Sequence, residues 1–329
     1  MKVAVLGAGA WGTALAMHIS QQHSVCLWAH KQSHVDGMRR VRANPMYLGD
    51  FPFNDNLSVS ADLAETIQGA AFVLSVVPTS GFRATLQQLK DLQCQVPIVW
   101  ANKGLEPQTA LLPHEVAAEV LGKNYAWGAL SGPSFAAELV RGLPTAVTLA
   151  MNDASAAKLA ASALHAGSLR IYTSDDVTGV AVGGALKNVM AIAAGISDGM
   201  QFGNNARAAM ITRGLAEMTR FGVALGAQKD TFMGLAGAGD LILTCTGQYS
   251  RNREVGLQLA SGRPLEEILI TLGHVAEGVY TAREVYQRAK TLGVDMPITD
   301  EVNQVLSHGK SARDAVMDLL GREQKAENA

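Results

Sequence analysis

Residues 2–12, KVAVLGAGAWG, are the stretch that decides the expected fold of this chain. An apolar, strand-like run leads into Gly7, Gly9 and Gly12, spaced as GxGxxG, and a helical segment follows directly. In such a unit Gly7 permits a tight turn, Gly9 lets a pyrophosphate approach the backbone, and Gly12 lets the helix pack on the strand. The free N–H groups at the helix N-terminus favour an anion. The stretch therefore predicts a dinucleotide-binding domain with these three glycines as cofactor-binding residues.

The first half of the chain repeats this alternation of strand and helix. Its other strand-like segments are SVCLWAH, AFVLSVVP, VPIVWANKG, AWGALSG, TAVTLA and LRIYTS. Apolar strands separated by helices indicate a doubly wound, mostly parallel sheet of the Rossmann type. After Asp175 strand-like runs become scarce, and helical periodicity is clearest over residues 206–225, 251–260 and 275–290. We therefore predict an α/β nucleotide-binding domain over residues 1–175 and a second, all-helical C-terminal domain over residues 176–329.

Composition and charge give no reason to expect a nucleic-acid partner or a metal site, and they bear on the cellular compartment. The net charge of −2 gives no reason to expect a nucleic-acid partner. Eight His and three Cys are dispersed along the chain, so no metal site is expected. Cys26, Cys94 and Cys245 have no CxxC spacing and form an odd set, which suits a reducing compartment. The chain opens into a strand-like run rather than a signal peptide, so a cytoplasmic protein is expected.

Lys187 is the one cation within the apolar stretch 183–195, GGALKNVMAIAAG. The surrounding span is rich in Ala and Gly and carries Lys187 and Asn188, so it predicts a buried helix rather than a transmembrane segment. A buried ammonium is costly unless it is paired. In a helix its side chain leans over Gly183 and Gly184, which leave its path clear. Alternatively, these glycines permit close helix packing while Lys187 extends outward to water.

The end of the second predicted strand bears on the choice of cofactor. A carboxylate about 20 residues after the glycine-rich loop commonly binds the ribose 2′-hydroxyl of NAD. Here that place holds His30 and Lys31, and the next carboxylate is Asp36. Because cationic or neutral donors favour a 2′-phosphate, we predict NADP as the preferred cofactor and NAD as the alternative. Both side chains could instead be merely solvated.

Polar residues follow two later predicted strands. Lys103 stands in WANKG, and SGPSF places Gly132 and Ser134 at the end of the next strand. The carboxyl ends of parallel strands line the ligand crevice, so these residues are candidates for substrate binding. Gly132 is expected to leave its backbone open to a ligand. Lys103 could equally be an ordinary surface lysine at a strand end.

Residues 234–254, GLAGAGDLILTCTGQYSRNRE, carry two signals in the helical half. The glycines have no strand–turn–helix context, so we interpret them as a loop that holds Asp240 close to other backbone. Ser250 is a candidate helix cap, with Arg251 and Asn252 in the first turn. A cation in the first turn of a helix is unfavourable because it opposes the helix dipole, so its presence is more easily explained by a nearby anion. A helix N-terminus beside an arginine side chain can bind a phosphate group. The alternative is an exposed basic patch that includes Arg253.

Taken in order, these motifs resemble the bacterial type of NAD(P)-dependent glycerol-3-phosphate dehydrogenase. The resemblance runs from GAGAWGTALA through ANKGLE, SGPSFAAEL, GGALKNVMAIAAG, NARAAMITRGLAEM, GLAGAGDLILTCTG and SRNRE to MPIT, and so covers nearly the whole chain. It implies a cleft between two domains and an oxidoreductase that interconverts dihydroxyacetone phosphate and sn-glycerol 3-phosphate for phospholipid synthesis. It leaves the oligomeric state open, with a homodimer as one expectation.

The resemblance also implies roles by position. Lys187 matches the catalytic acid/base, and Asp240 is placed to orient a lysine. The implied substrate-binding positions are Lys103, Gly132, Ser134, Lys187, Asp240, Ser250, Arg251 and Asn252. The implied cofactor-binding positions are Ala10, Trp11, His30, Ala136, Arg251, Val275 and Glu277, together with Lys31 and Lys103. Ala10 departs from the family, which commonly has Ser there, so a hydroxyl contact to the cofactor is lost.

Two other functions share parts of this pattern. Dehydrogenases of β-hydroxy acids also combine a Rossmann domain, a helical domain and an interior lysine, but SRNRE favours a phosphorylated substrate. A redox-sensing module would bind the nucleotide without turnover, and it would have no use for lysines and phosphate-binding residues gathered in one cleft.

Overall fold

An eight-stranded sheet occupies the first half of the chain. It is seen in a computed structural model in which residues 1–273, 276–324 and 326 are described. The strands are β1 (Lys2–Leu6), β2 (Ser24–Trp28), β3 (Leu57–Ser60), β4 (Val73–Ser75), β5 (Ile98–Trp100), β6 (Trp127–Ser131), β7 (Thr145–Met151) and β8 (Leu169–Ser174). Seven of them match the segments predicted from sequence. The short edge strand β3 was not anticipated.

The strand order is β3-β2-β1-β4-β5-β6-β7-β8, and every neighbouring pair is parallel except β6 and β7. The prediction of a mostly parallel, doubly wound sheet is therefore confirmed. The chain reverses its direction of progress across the sheet between β3 and β4, on either side of β1. This reversal opens a crevice at the carboxyl end of β1, where ligands bind in open α/β sheets.

Eight helices connect and cover these strands. They are α1 (Ala10–Ile19), α2 (Gln32–Val41), α3 (Pro45–Leu48), α4 (Leu63–Ile67), α5 (Thr79–Asp91), α6 (Pro113–Leu121), α7 (Ala136–Val140) and α8 (Ala154–Leu164). Apolar residues of the strands, including Val3, Val5 and Leu27, are fully buried between the two helical layers. Burial on both faces explains why these strands are apolar along their length rather than alternating.

The second half of the chain is helical over its described residues. Its helices are α9 (Val177–Gly199), α10 (Gly203–Ala224), α11 (Asp240–Thr246), α12 (Arg251–Ala260), α13 (Leu265–Leu272), α14 (Glu277–Leu292), α15 (Pro297–His308) and α16 (Ala312–Leu320). A 3-10 turn, Lys229–Met233, and a wider turn, Leu235–Gly239, lead into α11. The predicted helices near 206–225 and 251–260 correspond to α10 and α12.

Helix α9 is the centre of the helical half. It is long and apolar enough to cross a membrane, but 94% of its apolar window is buried inside the protein. Helices α10, α11, α12 and α14 all pack on it. Gly195 and Gly256 let α9 and α12 approach closely, since a Cβ on either would lie 2.1 Å from a backbone oxygen of the other helix. The segment is thus a core helix, as its Ala- and Gly-rich composition predicted.

Candidate active site

The glycine-rich loop has the geometry that its sequence predicted. Gly7 adopts φ +108°, and a Cβ there would lie 2.7 Å from the Val76 carbonyl oxygen. A Cβ on Gly12 would lie 1.9 Å from the Gly7 oxygen, so the start of α1 can pack on the loop only with glycine. Space is open at Gly9, which precedes α1 without a side-chain cap. The open backbone at a helix N-terminus fits the pyrophosphate of a dinucleotide.

Asn44 holds this loop, and the sequence did not single it out. Its amide Nδ2 donates to the Ala8 carbonyl at 2.9 Å and to the Thr13 hydroxyl at 2.8 Å. Its Oδ1 lies 3.0 Å from Nε2 of His34. Since Asn44 is buried and spends both N–H groups here, it fixes the loop and the first turn of α1 relative to each other.

Five other predicted cofactor residues lie on elements beside the crevice. Ala10 and Trp11 open α1, and Ala136 is the first residue of α7, which packs against α1. His30 and Lys31 are exposed directly after β2, whose last residue accepts a hydrogen bond from the Gly7 N–H at 3.0 Å. They therefore lie beside the loop. Val275 falls outside the described residues.

Two lysines meet at one carboxylate in the interior. Nζ of Lys187 lies 2.6 Å from Oδ1 of Asp240, and Nζ of Lys103 lies 2.6 Å from Oδ2 of the same residue. Asp240 is completely buried and Lys187 is 8% exposed. Lys187 comes from α9 and Asp240 from the first turn of α11, whereas Lys103 follows β5. The alternative in which Lys187 extends outward to water is wrong.

Each lysine has further acceptors. Lys187 also donates to the Thr244 hydroxyl at 3.0 Å, and that hydroxyl donates to the Asp240 carbonyl oxygen. Lys103 donates to the Gly132 carbonyl at 3.1 Å and lies 3.4 Å from the Ser134 hydroxyl. Gly132 is buried, with φ +145°. Its carbonyl accepts the hydrogen bond from Lys103, so this carbonyl is not open to a ligand, contrary to the expectation from sequence.

Burial and charge shift the titration of this cluster. Burial lowers the pKa of Lys187 to about 8; Asp240 opposes that shift, and the neighbouring Lys103 ammonium adds to it. For Asp240, burial alone would raise the pKa, but the two ammonium groups outweigh it and hold the pKa below its usual value. The cluster is thus a carboxylate between two cations, with one lysine titrating near neutral pH.

Gly183 and Gly184 permit close packing, the role that the alternative above gave them. A Cβ on Gly183 would lie 2.3 Å from the Ala236 oxygen, and a Cβ on Gly184 would lie 2.8 Å from Oγ of Ser131. The next nearest atom to Gly184 is Cγ of Lys103, at 3.3 Å. The glycines therefore admit neighbouring elements and the second lysine, rather than clearing a path for Lys187. A single helix viewed alone could not show this.

Glu277 joins the two halves of the chain at this site. Its carboxylate accepts hydrogen bonds from the Lys103 N–H at 3.2 Å, the Thr79 N–H at 3.1 Å and the Thr79 hydroxyl at 3.1 Å. Burial raises its pKa, although these hydrogen bonds counteract the shift. Asn188 adds a second tether, since its Nδ2 donates to the Lys103 carbonyl at 3.0 Å. Lys103 is therefore fixed by its main chain as well as by its ammonium.

The start of α12 is organised as the sequence suggested, with one difference. Ser250 caps the helix by accepting from the Arg253 N–H at 3.2 Å. Arg253 itself pairs with Asp198 at 2.7 Å, so it is not part of an exposed basic patch. Arg251 is exposed, and among the described residues no carboxylate forms a salt bridge with it. Its guanidinium is therefore available to an anion beside the first turn of α12.

Asn252 is buried and largely occupied by protein contacts. Its Nδ2 donates to Oδ1 of Asn188 at 2.9 Å, and its Oδ1 accepts from the Gly278 N–H at 3.0 Å. It is linked through Asn188 to Lys103, but its amide has one N–H left for a ligand. The sequence missed Thr79, Asn188 and Thr244 as members of the site. Of these, Thr244 could have been found, because it lies four residues after Asp240 on one helix face.

Comparison with known proteins agrees with this architecture. The family model for the N-terminus of NAD-dependent glycerol-3-phosphate dehydrogenase matches residues 2–157 of this sequence, and the family model for its C-terminus matches residues 176–317. A glycerol-3-phosphate dehydrogenase [NAD(P)+] of Methylobacillus flagellatus is 68% identical over 327 residues, which are 99% of each chain. That of Thiobacillus denitrificans is 54% identical, over 99% of this chain and all of its own.

Solved structures show the same similarity. The crystal structure of the Coxiella burnetii glycerol-3-phosphate dehydrogenase superposes with a TM-score of 0.94 at 41% identity, covering 98% of this chain and 99% of that one. The Saccharomyces cerevisiae enzyme gives a TM-score of 0.84 at 27% identity, with the same coverage. This chain belongs to the NAD-dependent glycerol-3-phosphate dehydrogenase family.

Proposed function

We propose that this protein interconverts dihydroxyacetone phosphate and sn-glycerol 3-phosphate, with Lys187 as the proton donor and acceptor. One observation carries the assignment: Lys187 and Lys103 share the buried carboxylate of Asp240. A bound nicotinamide cofactor, NADPH or NADH, supplies the hydride. The residues of the chain then have to manage the proton on the substrate oxygen, the charge that develops there and the substrate phosphate.

Counting donors distinguishes the two lysines. An ammonium has three N–H groups. Among the described residues, those of Lys103 have three acceptors, whereas those of Lys187 have two, Asp240 and Thr244. Lys187 therefore keeps one N–H for the substrate carbonyl oxygen. It donates that proton as the alkoxide forms, and its neutral amine takes the proton back in the reverse direction.

Lys103 and Asp240 support this proton transfer. Lys103 contributes positive potential beside the developing alkoxide, where the low dielectric of a buried site makes charge effective. Asp240 keeps both lysines oriented through charged hydrogen bonds, and Thr244 accepts from a second N–H of Lys187, which leaves the third for the substrate. The phosphate of the substrate binds at Arg251 and the α12 N-terminus, with Ser250 and Asn252 shaping that end. Fixing the phosphate fixes the distance from the carbonyl to Lys187.

The choice between cofactors rests on the end of β2. His30 and Lys31 are exposed beside the glycine-rich loop, and residues 29–35 contain no carboxylate. This favours the 2′-phosphate of NADP over the bare ribose of NAD. The domain boundary that we propose, between residues 175 and 176, is supported by the end of β8 at Ser174 and the start of α9 at Val177.

We further propose that the enzyme acts in the cytoplasm, supplies glycerol 3-phosphate for phospholipid synthesis and forms a homodimer. Membership of the family supports all three proposals. The three cysteines, which are all free and buried, support the cytoplasmic location, since free thiols are typical of a reducing compartment. Static light scattering of the purified protein tests the homodimer.

A steady-state assay tests the function. The purified protein is incubated with dihydroxyacetone phosphate and either NADPH or NADH, and nucleotide oxidation is followed by absorbance. We expect turnover with both and the higher kcat/KM with NADPH. No turnover with either would exclude the proposed reaction, while a strong preference for NADH would overturn only the role of His30 and Lys31. Dihydroxyacetone without phosphate is the control for the Arg251 site.

A further inference from the structure

The loop after Lys103, residues 104–112, is held in a conformation that its own residues disfavour. Gln108 has φ +73° and Ala110 has φ +54°, the left-handed region that non-glycine residues rarely adopt. Leu105, Ala110 and Leu112 pack their side chains into the apolar core of the helical half of the chain. The loop therefore leaves the nucleotide-binding sheet and docks on the other half of the protein.

Helix α14 contacts this loop along one face. Glu277 accepts from the Lys103 N–H, and Thr281 lies so close to Gly104 that a Cβ there would be 2.8 Å from its hydroxyl. One and two turns further on, Glu284 and Arg288 reach the strained residues. The spacing 277, 281, 284 and 288 is that of a single helix face.

Glu284 and Arg288 contact the two left-handed residues directly. Oε1 of Glu284 accepts from the Gln108 N–H at 3.2 Å, and Nη1 of Arg288 donates to the Ala110 carbonyl at 2.8 Å. Glu284 is only 5% exposed, and among the described residues its Oε2 has no hydrogen-bond partner. Burying a carboxylate is costly, and within the described residues Glu284 forms its hydrogen bond with the loop, at the Gln108 N–H.

We propose that Glu284 and Arg288 are positioning residues for Lys103. By holding residues 108 and 110 in the left-handed conformation, they fix the loop of one domain against α14 of the other. That contact sets where Lys103 sits relative to Asp240 and Lys187, which both belong to the helical half. The inference rests on the role of Lys103 proposed above. Neither residue touches the lysine, so both act through the backbone of the loop.

The test first removes the hydrogen bond between Glu284 and the Gln108 N–H, and then replaces Gln108 with glycine, which adopts the left-handed conformation without that bond. Glu284→Leu deletes the acceptor for the Gln108 N–H, and we expect kcat/KM for dihydroxyacetone phosphate to fall about tenfold, the scale of a small misplacement of a reacting group. The glycine-rich loop is untouched and Lys103 is one of many candidate cofactor contacts, so the Kd for NADPH from fluorescence titration should change less than kcat/KM, by about twofold at most. Glu284→Gln keeps an acceptor oxygen and should retain most activity.

Rescue separates positioning from a merely structural role. Gln108 is exposed, and glycine adopts φ +73° without a clamp, so Gln108→Gly in the Glu284→Leu background should recover most of the lost kcat/KM. Val305→Ala, a core change in α15, is the control that lowers the Tm without changing kcat/KM. If Glu284→Leu does not fold, Arg288→Leu with Ala110→Gly as its rescue provides a second comparison, and Glu115→Gln is its control because Arg288 also pairs with Glu115 at 2.6 Å.

Several outcomes would overturn the proposal. These are activity of Glu284→Leu within about twofold of the parent, an equal loss in Glu284→Gln, or no recovery on adding Gln108→Gly. Hydrogen exchange of residues 104–112 gives an arm that does not depend on the reaction: it should be faster in Glu284→Leu than in the parent, and equal rates would also overturn it. Absence of turnover in the parent protein would instead remove the proposed function.

Discussion

The two lysines that meet at Asp240 come from very different parts of the molecule. Lys187 projects from the middle of α9, a helix buried along most of its length, and one of its N–H groups has no acceptor among the residues that the structure describes. Lys103 follows a short strand, is tethered at its N–H and its carbonyl, and has three protein acceptors for its ammonium. Asp240 thus binds one lysine, Lys187, that still has an N–H available for a ligand, and another, Lys103, whose three N–H groups all have protein acceptors. In the proposed mechanism, this difference assigns proton transfer to Lys187 and charge stabilisation to Lys103.

Replacing Lys187 should have the largest effect. Lys187→Met keeps the length of the side chain but removes the acid and base, so we expect kcat to fall about 1,000-fold, within the range of general acid–base catalysis. The binding of NADPH, measured by fluorescence, should change little. Lys103→Met is the matched variant and should lose less, because it removes only charge. A larger loss in Lys103→Met would reverse the assignment of roles.

Arg251→Ala tests the other end of the substrate. Removing the guanidinium should raise the KM for dihydroxyacetone phosphate about 10- to 100-fold, since a charge-assisted hydrogen bond contributes about 1.5–3 kcal/mol. Steady-state kinetics at saturating NADPH measures this change. Arg253→Ala, which breaks the contact with Asp198, is the nearby control and should act mainly on Tm. An unchanged KM in Arg251→Ala would remove this residue from the phosphate site.

The pH dependence sharpens the comparison between the lysines. Reduction of the ketone needs the Lys187 ammonium, so kcat/KM should be level below pH 8 and fall above it, around the lowered pKa of about 8. Oxidation of the alcohol needs the neutral amine and should rise through the same region. Because the Lys103 charge helps to lower this pKa, Lys103→Met should move both profiles to higher pH. Profiles that do not move would show that the two lysines are uncoupled.

Gly184→Ala should have the smallest effect of these changes. Its Cβ would press on Ser131 and Lys103, so we expect kcat/KM to fall about three- to tenfold, the scale of about 1 kcal/mol. Alanine favours the helix by about 1 kcal/mol, which offsets part of an overpacking cost of about 1–3 kcal/mol, so the Tm should change little. Gly37→Ala, where space is open, is the control. If Gly184→Ala keeps full activity, the glycine does not matter for placing Lys103.

Much of the fold could be predicted because its signals are local. The glycine-rich loop, seven apolar strands and the cap at Ser250 each depend on a few neighbouring residues. Strand β3 was missed because it is a four-residue edge strand with an exposed serine in its interior, so it lacks the apolar run of a buried strand. The left-handed conformations at Gln108 and Ala110 were equally invisible, since the residues that contact them lie in a helix far along the chain.

The site itself was only partly predictable. Lys187, Lys103 and Asp240 stood out by chemistry and position, and the structure brings all three together. The contacts made by Thr79, Asn188 and Asn44 depend on residues far away in sequence, and no local pattern marks them. The glycines before Lys187 were correctly singled out, and the packing alternative explains them better than a clear path for the ammonium, because the atoms that fill their space belong to other elements.

Chemical rescue of Lys187→Ala tests the central claim most directly. A small primary amine such as ethylamine, added to the folded variant, should restore reduction of dihydroxyacetone phosphate in proportion to its concentration. The restored rate should depend on the pKa of the amine, while Lys103→Ala gains no such dependence. The result that would contradict the account is near-parental turnover by Lys187→Ala without amine, or an amine-dependent recovery confined to Lys103→Ala.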